Sequence, residues 1–219
     1  MANGELYQWL EAIRNRREYA EDQLSGGTPV FAVSRPEGIL LFGLGLGQSK
    51  VFEVYDRHGM AALGNPVDIE KLRQKAIEAA HLEGFNRSPE DVTLRRLVGY
   101  ALSPVLKDQF EQILSPPLLV RSLFAELGSN PKEDSLVTVD FDGVFEFASD
   151  GLAIATDSRE LETTLRPWIL SRLKPKSSLQ RTINTLHTAW TAAIENQPLS
   201  STTKVLSPPA EPPDNRTFE

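Results

Sequence analysis

The sequence predicts an α+β fold: a four-layer αββα sandwich preceded by an extra N-terminal helix. Three observations carry this. The elements run helix, strands, two helices, strands, two helices, tail. The strands come as short neighbours separated by turns, which makes antiparallel sheets and not βαβ units. And 219 residues form one large domain or two small ones, burying roughly 70 % of the unfolded chain's surface.

The elements follow in order. Residues 5–24 form a helix, with Leu6, Leu10, Ile13, Ala20 and Leu24 near one face, ended by Ser25-Gly26-Gly27. Pro29–Ser34 and Ile39–Phe42 are two strands around an Arg35–Gly38 turn, and Gly43–Gly47 is a flexible crossing. Lys50–Tyr55 and Gly59–Leu63 are two more strands. Asn65 caps a helix that opens on Pro66 and stops at Gly84. Ser88 opens a second helix, with Asp91 reaching back, that runs to about Leu114 and kinks at Pro104. Leu118–Leu127, Ser135–Phe141, Val144–Phe147 and Leu152–Ala155 are the second strand set, with Asp142-Gly143 as a hairpin turn. Helices at Ser158–Leu173 and Ser177–Asn196 follow. Residues 1–24 are thus an N-terminal segment and helix, 25–196 the sandwich, and 197–219 a Pro-rich segment expected to be partly disordered or to hold truncated final strands.

Composition narrows the function classes. The net charge is −7 and no run of five Lys or Arg occurs, so nucleic acid and anionic membranes are not expected partners. There is no cysteine, which excludes disulfides, thiolate zinc sites and a Cys nucleophile and suits a cytoplasmic location. The three histidines lack ligand spacing, so no metal or other cofactor is expected. No apolar run approaches the ~18 residues of a membrane span. Asp140-Phe-Asp-Gly143 lacks the later Glu of a calcium loop and reads as a turn. Gly43–Gly47 opens no helix and does not read as a phosphate loop.

Several stretches resemble the α-type subunit of bacterial 20S proteasomes of the actinobacterial kind, which carry the N-terminal-nucleophile hydrolase fold. They are Thr28–Val33 with Glu37–Phe42, Ser49–Arg57 with its Lys-x-x-x-x-Tyr-Asp-Arg ending, Gly59–Gly64, Gly84–Thr93, Leu119–Leu127 and Val139–Gly143. The likeness covers roughly residues 6–147, weakens over 148–196 and fails after 197. Ala153–Ser158 departs from the glycine-rich stretch usual before the third helix. Of the family's closing strands only Lys204–Leu206 and Arg216–Glu219 are candidates.

The resemblance implies a non-catalytic ring subunit that assembles with identical subunits, expectedly seven, on rings of catalytic β-type subunits. It would gate the entry of unfolded protein substrates and dock a ring ATPase or an ATP-independent activator. By the same resemblance Lys50 and Gly64 line a pocket for the activator's C-terminal tail; an ammonium suits a chain-end carboxylate. Tyr55, Asp56 and Arg57 are expected at a ring interface or in a structural loop. Leu6, Trp9, Leu10 and Ile13 mark a gate or inter-subunit helix. The alternatives are a self-processing β-type peptidase, with Thr28 freed behind Gly27 as nucleophile and Lys50 beside it, and a ring-less binding protein of the same fold. Against the peptidase stand Pro29, the missing carboxylate at Leu41–Gly45, the short Thr28–Lys50 spacing and the helix before the cut.

Overall fold

Among the described residues every strand except the short hairpin arm Phe145–Phe147 is apolar on both faces, and the reason lies in the layering. The computed structural model describes residues 2–45, 47–174 and 177–195, with side chains from Leu6 onward. Strands β1 (Val30–Arg35), β2 (Gly38–Gly43) and β8 (Leu152–Ala155) form one sheet in the order β2-β1-β8. Strands β3 (Val51–Tyr55), β4 (His58–Gly64), β5 (Val120–Glu126), β6 (Ser135–Val139) and β7 (Phe145–Phe147) form a five-stranded meander in chain order. All pairings are antiparallel, as the turn-separated strand pairs predict, with Phe31 opposite Phe42 and Val30 opposite Ala155.

The period of two along each strand sorts the side chains between layers. Ala32, Ala61, Leu63, Leu123, Ala125, Leu136 and Ala153 meet between the sheets. Phe31, Val33, Leu152 and Ile154 face outward under helices α5 (Arg159–Arg172) and α6 (Leu179–Ile194). Met60, Ala62, Phe124 and Val137 face the other way, under α2 (Pro66–Asn86) and the helical run that follows it. Four αββα layers result, with α1 (Ala2–Leu24) outside them.

Most local signals act as expected. Asn65 accepts a hydrogen bond from the Val67 N–H at 2.9 Å. Ser158 and Ser178 cap α5 and α6 through the Leu161 and Arg181 N–H groups. Two expectations need correction. Gly84 does not stop its helix, which continues to Asn86. A Cβ there would meet the Tyr55 hydroxyl, so glycine lets that side chain pack against the helix. Nor is the next helix one kinked rod from Ser88 to Leu114. It is a 3₁₀ turn (Pro89–Asp91), a short α3 (Leu94–Arg96), a π-helical stretch (Leu97–Leu102) and α4 (Ser103–Glu111). Ser88 bonds the Asp91 carboxyl at 3.2 Å instead of capping backbone N–H groups. The π stretch ends just before Pro104, whose ring would clash with the Tyr100 carbonyl in a regular α-turn; a wider turn absorbs the conflict.

Polar anchors tie the outer pieces down. Arg35 in the first hairpin is buried and donates to Thr182 and to the Ser177 carbonyl, fastening α6. Arg17 of α1 reaches Asp142 at 2.5 Å, and its guanidinium lies over Phe110 and Phe141. Asp142 also accepts from Val144 N–H, and Asp140 from Phe141 N–H and Arg121, so this acidic turn spends its carboxylates within the fold. Among the described residues no group of three or more His, Cys, Asp or Glu could hold a metal ion, and no helix is long and apolar enough to cross a membrane. The Pro-rich segment 197–219, with Lys204–Leu206 and Arg216–Glu219, lies outside the described residues.

Candidate functional site

Lys50 enters β3 beside the exit of β4, because the backbone pairs Ala62 N–H with Lys50 O at 3.0 Å. That pairing brings Lys50 and Gly64, fourteen positions apart, to one cleft of about 280 Å³. Phe52, Pro66 and Ile69 give it apolar walls, and Glu70 stands at its rim. The Glu70 carboxyl is held down to about 2 by its hydrogen bonds to Arg73 and then Gln74, so it is a fixed but already neutralised charge.

The Lys50 ammonium is half-buried and pairs with no carboxylate among the described residues within ion-pair reach. It donates to the Thr28 carbonyl oxygen at 3.0 Å and to Thr28 Oγ1. Burial pushes its pKa below the ordinary lysine value. An ammonium held by two neutral acceptors beside an apolar-walled cleft is open to an anion entering that cleft.

Gly64 lines the cleft, but the backbone dictates it. Its φ is +124°, and a Cβ would overlap the Leu119 carbonyl oxygen and press on Leu24 at 2.9 Å. Leu119 O instead takes the Asn65 N–H at 2.8 Å, so β4 turns directly into α2 across this point. The expectation that glycine keeps room for an incoming tail is thus joined by a stronger, purely conformational reason.

The same neighbourhood answers to the nucleophile reading. Thr28 and Lys50 do meet. Thr28 Oγ1 donates to Leu44 O at 3.1 Å. The nearby carboxylate that sequence reasoning missed is Asp157, which accepts the Gly26 N–H at 3.0 Å. It lies far along the chain, after β8, and only the β1–β8 pairing brings it there.

Tyr55, Asp56 and Arg57 form the β3–β4 turn, and their contacts are inside the subunit. Tyr55 packs edge-on to His81 at 5.0 Å. Arg57 pairs with Glu126 at 3.3 Å and donates to Glu90 O at 3.0 Å, while Asp56 is exposed. Glu126 also accepts the Leu94 N–H at 2.7 Å. Next in the chain, His58 is fully buried, 3.8 Å from Glu126. Burial, then the Arg57 charge, pushes its pKa down to about 4; Asp56 and the Val92 backbone pull weakly the other way. Above pH about 6.5 the imidazole is neutral folded or unfolded. As pH falls toward 4 the unfolded chain takes up a proton that the folded chain refuses, so stability is lost, by about 3 kcal/mol in full. Urea unfolding of the native chain and of His58→Gln at pH 7 and pH 4.5 checks this. The variant is expected to lose about 2 kcal/mol less over that interval, and equal losses would remove His58 as the cause.

Helix α1 is divided. Ala20 and Leu24 are buried against the sandwich and Ile13 is half-buried. Leu6, Tyr7, Trp9 and Leu10 are exposed, at 57, 67, 40 and 53 %. An uncovered apolar cluster of this kind is uncommon on a free-standing domain.

No protein-family model matches the chain. Among curated proteins it is similar to the proteasome subunit alpha of Actinosynnema mirum, 35 % identical over 135 residues, or 61 % of this chain and 51 % of that one. The proteasome subunit alpha of Geodermatophilus obscurus is 30 % identical over 162 residues, 73 % of this chain and 56 % of that one. That of Jonesia denitrificans is 29 % identical over 202 residues, 91 % of this chain and 81 % of that one. The chain thus spans about half the length of the first two relatives and most of the third. The chain is thus similar in sequence to the proteasome subunit alpha of several actinobacteria.

Proposed function

We propose that the chain is a non-catalytic α-type ring subunit of a cytoplasmic proteasome. Identical copies form an outer ring, β-type subunits lie beneath it, and the ring admits unfolded protein substrates and docks an activator through C-terminal tails at the Lys50 cleft. The observation that carries the ring is the exposed Leu6-Tyr7-Trp9-Leu10 cluster on a helix whose other end is firmly anchored through Arg17, Ala20 and Leu24. Head-to-tail contacts that close on themselves would bury it in every copy.

Native mass spectrometry and electron microscopy of the chain alone and mixed with a β-type partner test this. The expected result is a ring that stacks on the β-type ring. The double variant Trp9→Ser/Leu10→Ser is expected to lose the ring while its melting temperature stays within a few degrees, since exposed substitutions cost about 0.5 kcal/mol or less. A chain that stays monomeric in every mixture would instead support the ring-less binding protein.

One observation favours a second reading. The Lys50–Thr28 contact is the arrangement a threonine nucleophile needs, once its amine is freed. Intact mass decides between the two. Loss of residues 1–27, with peptidase activity abolished by Thr28→Ala, establishes the peptidase and overturns the ring-subunit reading. An uncut chain supports it.

A further inference from the structure

The three N–H donors of the Lys50 ammonium are unevenly spent. One goes to the Thr28 carbonyl oxygen at 3.0 Å and one to Thr28 Oγ1, and the third is not spent on any described residue. The threonine hydroxyl is committed as an acceptor there, because its own hydrogen goes to Leu44 O at 3.1 Å. We infer that the Thr28 hydroxyl is a built-in competitor for the carboxylate taken up by the Lys50 cleft, and so sets the affinity of that site. The inference rests on the tail-binding reading of the cleft.

The donor count gives the direction. Removing only the hydroxyl leaves the carbonyl, which keeps Nζ moored at the cleft wall. The freed N–H can then turn to a second carboxylate oxygen, and a charged acceptor makes a stronger bond than a neutral one. Burial of the ammonium works the same way, since a half-desolvated cation gains more from an anion than from a hydroxyl. Thr28 also sits two residues beyond Gly26, whose φ of +75° and bond to Asp157 fix the end of α1.

The probe is a dye-labelled peptide ending Leu-Tyr-Ala, apolar to match Phe52, Pro66 and Ile69, made as the free acid and as the C-terminal amide. Binding to the full chain is read by fluorescence anisotropy. The free acid is expected to bind at least about tenfold tighter than the amide, and Lys50→Gln to erase that difference. Thr28→Val is expected to tighten the free acid by about threefold to tenfold, and Thr28→Ser to restore the native value. Unchanged or weaker binding by Thr28→Val, with the Lys50 dependence intact, overturns the competitor and leaves the cleft standing. Equal binding of acid and amide, or no effect of Lys50→Gln, overturns the cleft reading itself.

Discussion

Gly64→Ala lowers the stability of the folded chain by about 4 kcal/mol, the largest loss expected from any one-methyl change near the cleft. Two penalties add. A non-glycine residue at φ +124° carries backbone strain of about 1–3 kcal/mol. The new methyl also has no room, since it meets the Leu119 carbonyl on one side and Leu24 on the other, and overpacking of this kind adds about 1–3 kcal/mol. The carbonyl cannot step aside without releasing the Asn65 N–H and the β4–β5 pairing of Gly64 with Val120. For a chain of this size the melting point should fall by about 8–16 °C. Gly26→Ala separates the two penalties. It has positive φ but nothing within 4 Å of the added methyl, so about 1 kcal/mol is expected. A Gly64→Ala chain that melts within 2–3 °C of the native one would show that the β4–α2 junction yields, and that the cleft wall is softer than its geometry indicates.

That junction also shows how far the sequence can be read. The fold was legible because nearly every described strand is apolar on both faces, and because turns separate the strands at hairpin spacing. Pro29–Ser34 and Leu152–Ala155 read as strands on their own residues, but their side-by-side pairing is seen only in the structure. What was not legible came from contacts between distant segments. Gly84 has the local grammar of a helix stop, yet it answers to the Tyr55 hydroxyl on another strand. The π-helical stretch arises from a conflict between Pro104 and a turn that must still bury Leu97, Val98 and Leu102. In the site, only the resemblance put Lys50 and Gly64 together, and the structure brings them to one cleft through the β3–β4 pairing. Asp157 at Gly26 could not be read from the sequence, because no local pattern announces a carboxylate that arrives by way of the other sheet. Arg57 reads equally well as an interface or a turn residue, and only Glu126 and the Glu90 carbonyl show where its donors go within the subunit.

Lys50→Ala should bring the ratio of activator-stimulated to unstimulated peptide hydrolysis in the assembled particle close to one. The argument starts from a single cleft. Removing the ammonium removes the only described cation lining it, so a tail carboxylate entering beside Phe52 and Ile69 is desolvated with no partner. The loss of a charged hydrogen bond is about 1.5–3 kcal/mol per tail, or roughly tenfold to 150-fold in affinity. In the proposed ring the effect would multiply: tails of one activator would engage several clefts at once, and each weakened cleft would also lower the effective concentration available to the next. A loss that one tail could survive at high activator concentration becomes prohibitive for the set. Lys50→Arg should recover only part of the ratio, because the longer planar guanidinium cannot keep both Thr28 contacts and reach the carboxylate from the same position. Native mass of each variant particle shows whether assembly survives, which it should, since Lys50 makes its described contacts within one subunit. Full stimulation of an assembled Lys50→Ala particle would place activator docking elsewhere on the ring, and the ammonium at the cleft would then be answered by some other anion.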